Sequence, residues 1–142
     1  MKLIRTNLFP ITAFLAFLGF LDASYLTIAH IKNITPPCNI HFGCETVLNS
    51  PYSTVGPLSL AFFGACFYLA VIILSILAIT NPKGLHIKAL VFSIFVGFLI
   101  SLYLFLVQLF LIHAFCQYCL LSEITSTLLL IPALLTKQAK NR

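Results

Sequence analysis

Residues 58–79 read LSLAFFGACFYLAVIILSILAI and contain no charged side chain. A helix needs about 20 mostly apolar residues to cross the hydrocarbon core of a bilayer, which is about 30 Å thick, so this stretch is long enough. Three other stretches share its character, and the sequence therefore predicts four membrane-spanning helices. Their approximate ranges are 8–28, 58–79, 89–112 and 115–135.

The composition of the whole chain also indicates a membrane protein. The 142 residues are 61% apolar and 8% charged, against roughly 45–50% and 25% in soluble domains. Eight basic and three acidic side chains are too few to cover a water-soluble surface. This excludes a cytosolic enzyme, a disordered chain and a nucleic-acid-binding protein. Because backbone groups in lipid must be paired internally, we expect one all-α domain over residues 1–142, built as a four-helix bundle.

The basic residues predict the orientation of this bundle. If the four helices cross in sequence, seven basic residues fall on one side and only Lys32 falls on the other. The seven are Lys2, Arg5, Lys83, Lys88, Lys137, Lys140 and Arg142. The positive-inside rule then places both termini in the cytoplasm of a multi-pass cell (inner) membrane. The long loop of about 29–57 and the short link near His113 would face the extracytoplasmic side.

The first span has an alternative interpretation as a cleaved signal peptide. Lys2 and Arg5 would then form its basic region. Its apolar stretch is longer than the 7–15 residues usual in such peptides, which favours a membrane-spanning helix.

Four of the five cysteines fall on the outer side of this topology, although they were not used to derive it. They are Cys38, Cys44, Cys116 and Cys119, while Cys66 is expected as a small apolar core residue. In bacteria the outer compartment is oxidising, so thiol pairs close to disulfides there. Cys116-Gln117-Tyr118-Cys119 opens the fourth span, and the positive end of a helix favours a thiolate.

Two dithiols on one side of a membrane suggest an electron relay from a soluble partner, through a mobile loop pair, to a membrane pair. Two other classes remain open. A non-enzymatic membrane scaffold would use the cysteines in structural disulfides. A zinc-binding membrane protein would use both pairs as thiolate ligands, with His41 and His113 nearby.

Five short patterns occur in order along the chain: Leu21–Thr27 (LDASYLT), Cys38-x5-Cys44, Cys44-x5-Ser50, Gly56–Ser59 (GPLS) and Cys116-x-x-Cys119. A chain with these patterns resembles the bacterial form of the vitamin K epoxide reductase family, over nearly its whole length. The resemblance implies a four-helix bundle around a quinone, either menaquinone or ubiquinone. It implies a quinone-dependent protein disulfide oxidoreductase that reoxidises a thioredoxin-like (DsbA-like) protein and so supports disulfide formation in exported proteins.

The resemblance also implies a role for each cysteine. Cys119 would face the quinone ring, with Cys116 as its resolving partner. Cys44 would exchange with Cys116, and Cys38 would meet the thiol of the partner first. Ser50 matches a family serine near the active cysteines. A related enzyme that runs in the opposite direction stays open, because reduction potentials cannot be read from residues.

The chain departs from the family pattern at three points. Many bacterial members carry a fused thioredoxin-like domain after the last span, whereas this chain ends at Arg142, so we expect a separate partner protein. Animal members have a tyrosine four residues after the second active cysteine, where this chain has Glu123. The animal asparagine that contacts the quinone aligns with Leu60. We therefore expect no recycling of vitamin K.

Two acids inside the predicted spans are further candidates, because ionisable groups in a membrane are costly. Glu123 shares a helix face with Cys119 and is a candidate proton route, or else a structural acid facing a neighbouring helix. Asp22 is a candidate for positioning the outer loop or for donating a proton to it, or else it forms an ion pair with Lys32. The wall of a quinone slot is expected over residues 58–67.

Within that wall the candidate lining residues are Leu60 and Gly64. Gly64 and Ala65 are small enough to allow close approach of a neighbouring helix.

Overall fold

The computed structural model describes the backbone of residues 2–39, 43–81 and 84–141, and the side chains of residues 7–39, 43–81 and 84–138. In chain order its elements are α1 (Lys2–Ile31), α2 (Cys44–Leu48), β1 (Thr54–Val55), β2 (Leu58–Ser59), α3 (Leu60–Thr80), α4 (Gly84–Val107), a π-helical turn (Gln108–Ile112) and α5 (Gln117–Asn141). Four stretches are long and apolar enough to cross a membrane: Asn7–Ile31, Leu60–Thr80, Gly84–Ile112 and Gln117–Gln138. The predicted all-α class with four spans is confirmed.

The four long helices form a bundle in which α1 packs against α3 and α5, and α4 packs against α5 and α3. Small side chains such as Ala16 and Ala23 are buried where the helices meet. Large apolar side chains point outward instead, and Phe14 and Phe92 are 62% and 68% exposed. An apolar surface of this kind is rare on soluble monomers, whereas in a bilayer it faces the lipid chains.

Two glycines allow aromatic rings to pack against a helix backbone. A Cβ at Gly19 would lie 2.5 Å from the ring of Tyr68, and a Cβ at Gly97 would collide with the ring of Phe67. A Cβ at Gly64, by contrast, would be 3.7 Å from the nearest side-chain atom, an ordinary contact distance. Gly64 thus lies within ordinary contact distance of Ala23 on α1, as expected, and the tightest packing against a ring is at Gly19 and Gly97.

Buried hydroxyl groups within the bundle are satisfied by their own helices. Thr12, Ser75 and Thr136 each donate a hydrogen bond of 2.7–2.8 Å to the carbonyl oxygen four residues earlier. Such local bonds remove the cost of a polar group in an apolar surrounding. A buried polar atom without a partner is therefore unusual in this molecule.

The segment that joins α1 to α3, here called the connecting segment (residues 32–59), is folded in the parts that the structure describes. It contains the short helix α2, which is followed by a two-stranded antiparallel hairpin. Gly56 occupies the hairpin turn with a φ of 63°, a value that favours glycine. The Ser59 hydroxyl then accepts a hydrogen bond from the Phe62 N–H and caps the start of α3.

Candidate active site

The four cysteines of the two predicted pairs lie together at one end of the bundle. Cys44 and Cys116 are 2% and 0% exposed and share a buried cluster with Val47. Cys38 and Cys119 are partly buried and pack against the same cluster. The connecting segment thus brings its cysteine pair onto the pair at the start of α5.

One pair is oxidised and the other is reduced. Cys38 and Cys44 form a disulfide with a Cα–Cα distance of 6.2 Å, within the usual range. Cys116 and Cys119 are thiols. The sequence left the pairing of the cysteines open, and in this form it is Cys38 with Cys44.

Cys116 is the better thiolate of the reduced pair. It lies immediately before α5, and its Sγ accepts a hydrogen bond from the Cys119 backbone N–H at 3.4 Å. The thiol of Cys119 and the backbone N–H groups of Cys119 and Tyr118 lower the pKa of Cys116 to about 7, although burial acts in the opposite direction. A substantial fraction of Cys116 is therefore in the thiolate form near neutral pH, as nucleophilic exchange requires.

The two residues between Cys116 and Cys119 hold the chain around Cys38. The Tyr118 hydroxyl donates a hydrogen bond of 2.8 Å to the Pro37 carbonyl oxygen. The Asn39 amide donates to Gln117 Oε1 at 3.4 Å. Sequence reasoning treated Gln117 and Tyr118 as spacers, since nothing in their spacing indicates what they contact.

A cavity of about 250 Å³ opens beside this cluster, between the helices and the connecting segment. Cys119 lines it, whereas Cys116 is buried in the cysteine cluster. The five residues that the sequence named as pocket or proton-route candidates also line it: Ser50, Glu123, Leu60, Gly64 and Asp22. The structure thus brings the candidate residues to one apolar space.

Each of the two acids within the spans has a buried oxygen atom without a hydrogen-bond partner. Asp22 is 9% exposed, and neither its Oδ2 nor Oε2 of Glu123 has a hydrogen-bond partner among the described residues. Lys32 lies ten residues beyond Asp22 in the chain, about 15 Å at 1.5 Å per helical residue, which is too far for the expected pair. Because buried polar atoms normally find partners, these two oxygens mark the cavity as a candidate ligand site.

Gln108 is a site residue that sequence reasoning missed. It is 3% exposed and opens the π-helical turn after α4, a local geometry often found at functional sites. Its Oε1 accepts the Cys116 N–H at 3.1 Å, and its Nε2 donates to Glu123 Oε1 at 2.7 Å. The signal that could have found it is an amide side chain in an otherwise apolar span.

The prediction that Cys66 is a core residue was wrong, because its side chain is exposed. The neighbouring Ala65 and Tyr68 face the interior of the bundle, and a helix turns about 100° per residue, which directs Cys66 outward. A small apolar side chain such as that of Cys66 is suited to a lipid-facing surface as well as to the core.

The residues expected for a zinc site are only partly described. No group of three or more His, Cys, Asp or Glu side chains that could hold a metal ion occurs in residues 7–39, 43–81 and 84–138. His113 is exposed, and His41 lies outside the described residues.

The cavity has the chemistry that a quinone ring requires. Its walls include flat and branched apolar side chains such as Phe67 and Leu60, which suit a planar apolar ring. The thiol of Cys119 and the carboxyl groups of Asp22 and Glu123 are polar groups on the same walls. An apolar pocket that contains a small number of polar groups is typical of a small-molecule site.

Comparison with known proteins agrees with this geometry. The model of the vitamin K epoxide reductase family matches residues 10–134. A search of curated proteins finds no significant match. The matched range includes both cysteine pairs and the residues that line the cavity. The chain belongs to the vitamin K epoxide reductase family, a family of membrane disulfide oxidoreductases.

Proposed function

We propose that the protein transfers electrons from a reduced thioredoxin-like protein to a membrane quinone and so supports disulfide bond formation in exported proteins. The observation that carries this proposal is the contact between two cysteine pairs in different redox states. One pair belongs to the connecting segment, and the other reaches the apolar cavity through Cys119.

The first exchange would occur at Cys38. Cys38 is partly buried, whereas Cys44 is 2% exposed, so a partner thiolate reaches the Sγ of Cys38 more easily. Attack there forms a mixed disulfide and releases Cys44 as the thiolate. A second thiol of the partner then attacks the mixed disulfide, which leaves the partner oxidised and Cys38 as a thiol.

The second exchange would move the electrons to the pair at α5. Cys44 attacks the Sγ of Cys116 in a Cys116–Cys119 disulfide, and Cys119 leaves as the thiolate. Cys38 then attacks Cys44, which restores the Cys38–Cys44 disulfide and releases Cys116. The products are one disulfide and two thiols, the same redox form that the structure contains.

The last step would take place in the cavity. A bound quinone supplies an acceptor for two electrons and two protons. Cys119 presents its sulfur on the cavity wall, and Cys116 closes the disulfide behind it. Glu123 and Asp22 are the groups that can hold protons at this wall.

We place the cysteine end of the bundle on the extracytoplasmic side. Lys88 lies near the start of α4 and Lys137 near the end of α5, the helix ends remote from the cysteines, where the positive-inside rule places the cytoplasm. Lys32 follows α1 at the cysteine end. The proposed orientation gives the connecting segment access to exported partners.

The test replaces Cys116 or Cys119 with alanine and measures quinone-dependent oxidation of a thioredoxin-like substrate. Each change should abolish turnover, whereas Cys66→Ala, which removes an exposed cysteine outside the site, should not. Variants that lack Cys38 or Cys44 should still oxidise small dithiols that reach Cys116 unaided. Undiminished turnover in Cys116→Ala or Cys119→Ala would overturn the proposal. The alternative, a structural scaffold, predicts that the redox state of both cysteine pairs stays unchanged when a dithiol partner is added.

A further inference from the structure

The side-chain amide of Gln108 makes a hydrogen bond at each of its two polar atoms. Its Oε1 accepts the backbone N–H of Cys116 at 3.1 Å, and its Nε2 donates to Oε1 of Glu123 at 2.7 Å. Gln108 is 3% exposed, so water does not replace these bonds. We call this pair of hydrogen bonds the amide bridge.

The chemistry of the two partners fixes the direction of the amide bridge. A backbone N–H can only donate, so the Gln108 atom that faces Cys116 must be the carbonyl oxygen. The NH₂ group then faces Glu123, and Oε1 of Glu123 must accept. In a neutral carboxyl group one oxygen accepts and the other carries the proton, so a proton on Glu123 belongs on Oε2.

Oε2 is the oxygen of Glu123 without a partner in the described part of the chain. Glu123 lines the cavity, as does Cys119 one helical turn earlier in α5. Gln108 thus leaves the proton-bearing oxygen of an acid in the cavity wall without a hydrogen-bond partner among the described residues.

We propose that Gln108 is a positioning residue whose amide bridge directs the transferable proton of Glu123 to Oε2, beside Cys119, and fixes the backbone of Cys116 at the start of α5. This inference rests on the proposed function and adds to it the orientation of the proton donor. It assigns Gln108 no contact with the quinone itself.

Electrons and protons balance in this scheme. Closure of the Cys116–Cys119 disulfide releases two electrons and two protons, and reduction of a quinone to a quinol consumes the same numbers. The O–H bond at Oε2 of Glu123 breaks as an O–H bond forms on a quinone carbonyl oxygen. The proton of the Cys119 thiol then restores Glu123, and the proton of Cys116 accounts for the second proton consumed.

The carboxylate that exists between these two transfers keeps its hydrogen bond from Nε2 of Gln108. Hydrogen bonds to an ionised acceptor are about twice as strong as neutral ones. The amide bridge therefore stabilises Glu123 after it has given up the proton, as well as orienting it before.

The first test is infrared spectroscopy of the reduced protein in detergent, with the glutamate carboxyl groups labelled with ¹³C. The sequence contains only two glutamates, Glu45 and Glu123, so the bands can be assigned. We expect a protonated carboxyl band that disappears in Glu123→Gln and persists in Glu45→Gln. In Gln108→Leu the band should move to higher frequency, because the C=O group loses its donor, and in the matched control Gln138→Leu it should not move.

The second test is single-turnover oxidation of the Cys116/Cys119 thiols by a short-chain quinone. Because general acid catalysis contributes roughly 10²–10⁴-fold, Glu123→Gln should slow the reaction by about 100-fold or more. Gln108→Leu should slow it by about 10-fold, as expected for a residue that orients the acid rather than supplying the proton. The double variant should be no slower than Glu123→Gln, since Gln108 acts through Glu123. Reduction of the Cys38–Cys44 disulfide by a small dithiol should not change.

Gln108→Asn keeps an amide but is one methylene too short to make both bonds, so it replaces Gln108→Leu if the latter does not fold. An unshifted carboxyl band and an unchanged rate in a folded Gln108 variant would overturn the inference while the wild-type protein still reduces quinone. Failure of the wild-type protein to reduce quinone would instead overturn the proposed function.

Discussion

The Tyr118 hydroxyl donates a 2.8 Å hydrogen bond to the carbonyl oxygen of Pro37, the residue before Cys38. Tyr118 itself lies between Cys116 and Cys119, so a single hydrogen bond joins the backbone beside one cysteine pair to a side chain within the other. Its ring also packs on Tyr25 of α1, with 5.5 Å between the ring centroids. A residue that carries no redox chemistry therefore helps to hold the two pairs together, beside the hydrogen bond from Asn39 to Gln117.

Removal of this hydroxyl should slow electron transfer between the two pairs. Tyr118→Phe keeps the ring contact but loses the hydrogen bond, whose net worth is about 0.5–1.5 kcal/mol, or roughly twofold to tenfold in a rate or population. Rapid alkylation during a single turnover would follow the exchange of Cys44 with Cys116. The rate at which the Cys116–Cys119 disulfide oxidises small dithiols directly should be unaffected.

The matched control for Tyr118→Phe is Tyr103→Phe, which changes a tyrosine that is 60% exposed on α4. Equal exchange rates for Tyr118→Phe and the wild-type protein would show that the position of the connecting segment does not depend on this hydrogen bond.

The lowered pKa of Cys116 predicts a pH dependence with a defined sign. Its thiol form dominates below the pKa of about 7 and its thiolate above it, and only the thiolate reacts with alkylating agents. Cys116 is buried, so the reagent must be small and the absolute rate is low, but the alkylation rate should rise through pH 7 and level off above it, as followed by mass spectrometry of the reduced, detergent-solubilised protein.

The same measurement tests the cause of the shift. The hydrogen bond from the Cys119 thiol is the largest contribution that lowers the pKa of Cys116. In Cys119→Ala burial remains while that bond is lost, so the midpoint should move to higher pH and the rate at pH 7 should fall. A midpoint that stays near 7 in Cys119→Ala would assign the shift to the backbone N–H groups alone.

Hydropathy predicted the four spans well because it acts on whole segments. The four spans follow from the length of apolar stretches, which does not depend on how the helices are rotated against one another. The ends of the helices were less predictable, since α5 begins at Gln117 and leaves Cys116 just before it.

Contacts between helices were predicted less well, because they depend on rotation about each helix axis. Gln108 and Tyr118 contact residues that are distant in sequence or in another element, and no local pattern encodes those partners. Cys66 was assigned to the core because a small apolar residue suits the core and the lipid-facing surface equally. The pocket candidates were easier to predict, because four of the five lie within or next to one of the short sequence patterns, as Glu123 lies one turn after Cys119.

Asp22 should be required for activity and dispensable for folding. Asp22→Asn preserves the size of the side chain but cannot exchange a proton, so quinone reduction should fall by about 10²-fold, the lower range for general acid–base catalysis. The melting temperature should not fall, because an unpartnered buried acid is costly to the folded state. Thermal unfolding and single-turnover oxidation by quinone would be measured on the same preparation.

Glu45→Gln is the control for Asp22→Asn, since Glu45 is an exposed acid in α2. Full activity combined with a lower melting temperature in Asp22→Asn would establish a structural role for this acid instead.

The contact between Gly97 and Phe67 should determine the size of the cavity. A Cβ at position 97 would collide with the Phe67 ring, and both residues line the cavity, so in Gly97→Ala the ring must move. Overpacking of this kind costs about 1–3 kcal/mol, and we expect a lower melting temperature together with a higher KM for quinone. Gly64→Ala is the matched control for stability: its added methyl group meets its nearest neighbour at 3.7 Å, and alanine is favoured over glycine inside a helix, so the melting temperature should not fall. If Gly97→Ala matched the wild-type protein in both measurements, the Phe67 ring would be mobile enough to yield, and this contact would not set the shape of the site.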